Sequence, residues 1–115
     1  IVMGLDQYAY ASKRGVKKVE IAYWRKHQAL ENWMAEKWGE AENSDDVFNC
    51  KILHIDYELL DELEEIVQSS RLSDHGYFSN DGRDCDDYRS TDLEFCYKAK
   101  SYLDSGYNVY YTSWW

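Results

Sequence analysis

Apolar and aromatic residues alternate with a period of two at both ends of this chain and recur at helical spacing in between, a pattern that confines it to mixed α and β architectures. In residues 4–12, Tyr8 and Tyr10 fall on one face of a strand and Leu5, Ala9 and Ala11 on the other. A turn around residues 13–17 returns the chain through Val19, Ile21 and Tyr23, which makes an antiparallel pair. From Arg25 the period changes. Leu30, Trp33, Met34 and Trp38 mark one side of a first helix, with Gly39 as its stop. Residues 40–46 are polar and acidic and read as a loop, and residues 47–55 as a short extended segment. Asp56 is a natural N-cap, Ile55 and Leu60 are placed as a hydrophobic staple, and Leu59, Leu60, Leu63, Ile66 and Val67 give a second helix its apolar stripe. Thr91 and Glu94 form a capping box for a third helix, buried through Leu93, Cys96, Ala99 and Leu103 and ended by Gly106. Residues 107–115 alternate again as a last strand. The pattern predicts an α+β fold, a small antiparallel sheet with about three helices packed mainly on one face.

The 115 residues suit a single domain spanning 1–115, and 44% hydrophobic residues, with 5 Trp and 11 Tyr, are enough to build a core despite the charge. No apolar run approaches the roughly 18 residues of a membrane span, and no basic region leads into an apolar stretch at the start. These features predict a chain that neither enters a membrane nor is exported. Three cysteines, Cys50, Cys85 and Cys96, are too few and too irregular for a disulfide scaffold, and Cys50 and Cys96 read as small buried apolar residues.

The net charge of -9 is unevenly spread: residues 1–38 hold 7 basic against 4 acidic side chains, and residues 39–115 hold 6 against 18. Such acidity disfavours nucleic acid as a partner, because the phosphate backbone dominates that kind of binding. It favours a basic protein surface instead. Lys13, Arg14, Lys17 and Lys18 flank Gly15 and read as a solvated turn.

No catalytic signature emerges. The segment of residues 80–87 carries enough oxygen ligands for a hard cation, but around Gly82 it departs from the EF-hand spacing, so a solvated loop is the expectation. The long stretch 69–90 around it is rich in Ser, Asp, Gly and Asn, a composition and length associated with function or mobility. His27, His54, His75 and the cysteines show no zinc spacing; Cys50 near His54 is the nearest approach to a local pair. No metal and no cofactor is expected. The most suggestive constellation is Tyr23-Trp24-Arg25-Lys26-His27, where a strand becomes a helix and aromatic faces meet cationic groups beside free helix N–H groups. A small anionic or nucleotide-like ligand would find suitable chemistry there, with Trp24, Arg25, His27, Asn49, Tyr77 and Trp114 as the candidate binding residues. His27 or His75 would be the acid or base if the chain had an activity.

Met3-Gly4-Leu5-Asp6-Gln7-Tyr8-Ala9-Tyr10, Tyr23-Trp24-Arg25-Lys26-His27 with Leu30 and Trp33-Met34, Phe48-Asn49-Cys50, Gly76-Tyr77-Phe78, Asp92-Leu93-Glu94-Phe95 and the closing Tyr110-Tyr111-Thr112-Ser113-Trp114-Trp115 together span nearly the whole chain. In their order and in the Ser-Trp-Trp ending, they resemble a family of small, uncharacterised proteins of tailed bacteriophages and prophages. The resemblance implies a phage origin and a host-cell cytoplasmic setting, and it carries no mechanism. With the acidity, it leads to the expectation of a non-enzymatic accessory protein that binds a basic host protein, the alternative being the small-ligand module at the Trp24–His27 corner. Oligomeric state is left open by the sequence.

Overall fold

The computed structural model describes residues 5–44, 46–69 and 85–114, with side chains in the last segment from Tyr88 onward. Strands β1 (Asp6–Lys13) and β2 (Val16–Arg25) are followed by helix α1 (Gln28–Glu42), strand β3 (Ile52–Ile55), helices α2 (Tyr57–Gln68) and α3 (Cys85–Asp104), and strand β4 (Asn108–Trp114). The sheet is antiparallel throughout, in the order β2-β1-β4-β3, so the last strand lies beside the first. The α+β architecture expected from the periodicity is the one observed.

The hairpin closes through a two-residue loop between Lys13 and Val16, and Gly15 takes the left-handed φ of +79° that such a tight reversal favours in glycine. Between Ala9 and Tyr10 the pairing with β2 slips, leaving Ile21 as an extra residue where Ala22 opposes Ala9 and Glu20 opposes Tyr10. A bulge of this kind inverts the alternation beyond it. Tyr23, expected to share a face with Val19 and Ile21, therefore points outward at 45% exposure, and Trp24 turns into the core.

Helix α1 buries Leu30, Trp33, Met34 and Trp38 as their spacing requires, but it does not stop at Gly39. It continues to Glu42 and is closed by Asn43 in the left-handed conformation, with the N–H groups of Asn43 and Ser44 both donating to the Gly39 carbonyl. Gly39 serves that closure from inside the helix, since a Cβ there would meet the Ser44 carbonyl oxygen at 3.2 Å. Helix α2 begins as expected: the Asp56 carboxylate accepts from the Leu59 N–H at 2.8 Å, and Leu60, Leu63 and Val67 are buried. Helix α3 starts at Cys85, so Thr91 and Glu94 lie inside it and cap nothing. The helix runs through the capping box because Tyr88 and Asp92, one turn apart on it, both reach the junction of β2 and α1, Tyr88 through the Arg25 carbonyl and Asp92 through Trp24.

Helices α2 and α3 pack along one another and are tied at both ends, Tyr57 donating to Asp104 at 2.5 Å and Arg89 to the Gln68 carbonyl at 2.7 Å. Between them Lys100 reaches Asp61 at 2.8 Å and Glu64 at 2.7 Å, which raises its pKa. Lys37 joins α1 to α2 through Glu62 at 2.8 Å. The core between helices and sheet is aromatic, with Trp24, Trp33, Tyr111 and Phe95 its largest enclosed side chains. No helix among the described residues is long and apolar enough to cross a membrane.

Removing the α2 cap by Asp56→Ala should cost about 1 kcal/mol, read in thermal melts as a fall in Tm of roughly 4–8 °C. An unchanged Tm would show that the tie between Tyr57 and Asp104 holds the helix start without the cap.

Candidate functional site

Two features stand out, one inside the molecule and one on its surface. Inside, the junction where β2 becomes α1 is built on polar groups. The Lys26 backbone takes a left-handed φ of 58° and donates to the Leu5 carbonyl at 2.8 Å, while the Tyr88 hydroxyl donates to the Arg25 carbonyl at 2.7 Å. The turn places His27 in the core at 2% exposure, its ring stacked on Tyr88 with centroids 4.2 Å apart.

Asp92, from α3, faces this corner and is engaged on both oxygens. Trp24 Nε1 donates to Oδ1 at 2.8 Å, and His27 Nε2 lies 2.9 Å from Oδ2. Gln7, fully enclosed on β1, accepts from the His27 backbone N–H at 2.9 Å and donates to the His27 carbonyl and to the Tyr111 hydroxyl, at 3.0 and 2.9 Å. Tyr111 in turn donates to Glu31 of α1 at 2.7 Å. One chain of hydrogen bonds thus links β1, β2, β4, α1 and α3 through the core. Burial dominates the protonation of Asp92 and Tyr111. It holds the Asp92 carboxyl above the usual range although His27 and Trp24 pull the other way, and together with the Glu31 charge it lifts the Tyr111 phenol well above its ordinary value.

A His–Asp pair is the stuff of general acid–base catalysis, but a catalytic base must reach a substrate proton. Here Nε2 is committed to Asp92 and the ring is covered by Tyr88, so the pair acts as a clamp between the β2–α1 junction and α3.

The outer face of the sheet is the second feature. Cross-strand register sets Arg25, Asp6 and Trp114 in one row, Tyr23, Tyr8, Thr112 and Ile52 in the next, and Glu20, Tyr10, Tyr110 and His54 in a third. Tyr8 packs against Trp114, Tyr23 and Tyr10 with ring centroids 4.8, 5.1 and 5.9 Å apart, and Tyr10 meets Tyr110 at 5.5 Å. The Tyr23 hydroxyl donates to Asp6 at 2.8 Å, and the Lys18 ammonium sits 4.4 Å from the Tyr10 ring centre.

The candidate ligand residues are divided between these two places. Trp24 and His27 are core residues, Arg25 and Trp114 stand on the outer face, and Asn49 lies half-buried in the segment leading to β3. Tyr77, His75, Trp115 and the side chains of the acidic segment 80–87 lie outside the described residues. Among the described residues no group of three or more His, Cys, Asp or Glu is placed to hold a metal ion. Cys96 is buried as expected, and burial pushes its thiol up to about 12. Cys50 departs from the expectation: it is exposed, because its left-handed backbone at φ 59° directs its N–H to the Ser113 carbonyl at 2.8 Å and turns the side chain outward.

Nothing in the sequence assigned a site role to Asp92, Gln7, Glu31, Tyr88 or Tyr111. Gln7 carried a signal, being polar on the face of β1 that also holds Leu5, Ala9 and Ala11. Asp92 carried none, because its neighbours Thr91 and Glu94 had an adequate local explanation.

Asp92→Ala would strand the buried Trp24 N–H and His27 Nε2 and should cost about 3–5 kcal/mol, whereas Asp92→Asn keeps a polar partner and should cost less. Because the folded pKa of Asp92 is raised, the native state holds this proton longer than the unfolded chain; the stability it contributes is complete below about pH 4 and is lost as pH rises through the folded value. Urea melts of wild type and Asp92→Asn across that window should therefore show the wild-type advantage shrinking with rising pH, and a constant difference would contradict it. Thiol labelling followed by peptide mapping should modify Cys50 in the native protein and Cys96 only after unfolding.

No protein family, curated protein or solved structure matches this chain, so its functional reading rests on the charge and surfaces just described.

Proposed function

We propose that this chain is a non-enzymatic accessory protein that captures a protein partner with a basic surface through the side of the molecule built by α1 and α2. The observation that carries the reading is the segregation of charge. Residues 28–68, from the start of α1 to the end of α2, hold 12 acidic side chains against 2 basic ones, while residues 1–27 hold 6 basic against 2 acidic. A molecule so divided presents a directional field and steers a basic partner to one side.

On that side a shallow groove of about 310 Å³ runs between the two helices, lined by Glu40, Asp56, Glu58 and Glu62, with Leu59 contributing an apolar patch. Lys37, the cation in its wall, is already neutralised by Glu62. A Lys or Arg side chain entering the groove would find carboxylates around its charge and carbon beneath its stem. The phage setting implied by the sequence resemblance would make the partner a host protein. The small-ligand alternative has less support, since Trp24 and His27 spend their polar groups on Asp92.

Replacing Glu58, Glu62 and Glu65 together by Lys should abolish capture of the basic partner in a pull-down while leaving the fold intact by circular dichroism, and raising the salt should release the partner from wild type. Capture unchanged in the triple variant would overturn the reading.

A further inference from the structure

We infer that the outer, aromatic face of the sheet is a self-docking surface through which two copies of this chain associate face to face. This is independent of the acidic side, which belongs to the helical layer.

The face is unusual in its apolar exposure and its balanced charge. Ile52, Tyr23 and Trp114 stand on it at 49%, 45% and 43% exposure, around the half-buried Tyr8, Tyr10 and Tyr110. Single exposed apolar residues need no explanation, but a contiguous patch marks an interaction site. Its charged residues are Asp6 and Glu20 against Lys18 and Arg25, so the surface is neutral although the chain carries -9. Two copies can meet here with their acidic sides directed away from each other.

Register supplies the complementarity. The order β2-β1-β4-β3 puts the middle of the sheet between β1 and β4. A two-fold axis along the strands at that position lays β1 over β4 of the second copy and β2 over its β3. Tyr10 then faces the second copy's Tyr110, Tyr23 faces its Ile52, and Glu20 faces its His54, each pair occurring twice as an isologous contact requires. Aligned sheets pack in this manner in β-sandwiches, with side chains interdigitating across about 10 Å.

Other occupants fit less well. The rings pack beside one another at centroid distances of 4.8 to 5.9 Å, and Lys18 covers a face of Tyr10. A single-stranded nucleic acid needs open ring faces on which its bases stack, and its phosphates would meet Asp6 and Glu20. Strand addition at the β2 edge is opposed by the bulge at Ile21 and by Lys17 and Lys18, devices that blunt sheet edges.

The available area sets the strength. Four strands spaced at about 4.8 Å and about seven residues long give a footprint of roughly 450 Å² per copy. That is below the ~800 Å² per partner of a stable complex, so the dimer is weak and concentration-dependent.

Sedimentation equilibrium of the full chain under reducing conditions, from low micromolar to about 0.5 mM, should show this monomer–dimer equilibrium. Tyr23→Ser combined with Trp114→Ser, and separately Ile52→Lys, should each raise the dissociation constant by at least about tenfold, since each removes or charges a contact made twice. Circular dichroism melts confirm that each variant is folded, and Ile52→Lys, altering a side chain already exposed, carries the test if the double variant is not. A wild-type chain that stays monomeric throughout would overturn the inference, and so would a dimer of undiminished strength in the folded variants. A monomeric wild type that binds a single-stranded oligonucleotide, with binding lost in the same variants, would reassign the face to nucleic acid.

Discussion

The hydrogen bonds that Trp24 and His27 make with the two oxygens of Asp92 are the constraint on which the rest of the structure depends. They fix where β2 ends, which way α1 departs, and how α3 sits across the sheet. A buried carboxylate is expensive unless both oxygens find donors, so the three residues specify one another: displacing α3 would leave an aromatic N–H, an imidazole and a carboxylate unsatisfied in the core. Gln7 and Tyr111 extend the same logic to the central strands, and Glu31 returns it to α1. Directional bonds of this kind allow few alternative arrangements, whereas an aromatic core alone could settle in several.

The two faces of the sheet divide the work. The inner face carries that network and the large aromatic side chains, and its burial stabilises the domain. The outer face carries five aromatic rings that touch one another. A bulge at Ile21 makes this division possible, since it turns Trp24 inward and leaves Tyr23 and Arg25 outside. Positive charge collects on the hairpin and negative charge on α1 and α2, so the molecule has an electrostatic direction as well as two chemically distinct surfaces.

Most of the fold was legible in the sequence. The alternation of Tyr8 and Tyr10 with Ala9 and Ala11 identified β1 and its faces, Asp56 identified the start of α2, and the aromatic ending identified β4, because each signal is local and matches the period of the element it encodes. The departures have two physical origins. Gly39 is a sound local signal for a helix end but was outweighed by a closure four residues on at the left-handed Asn43, whereas the pair Thr91 and Glu94, a sound local signal for a helix start, was outweighed by the partners of Tyr88 and Asp92, which come from distant parts of the chain. The candidate site was only partly legible for the second reason: Trp24, Arg25 and His27 are adjacent in sequence, and nothing local revealed that a bulge and a left-handed Lys26 would send the first and last inward and the second outward.

What the sequence by itself determined is the α+β class, the antiparallel hairpin, the helix stripes and the acid–base asymmetry, all of which follow from periodicity and from counting charges. What only the tertiary structure decided is the partnership of Asp92 with Trp24 and His27, the pairing of the last strand with the first, and the gathering of Tyr8, Tyr10, Tyr23, Tyr110 and Trp114 on one open face. Those depend on contacts between residues as far apart as Gln7 and Tyr111, whose hydrogen bond spans 104 positions. Local propensity has no term for such contacts; they are chosen by the joint cost of burying polar groups and the need to satisfy each of them in a single packing.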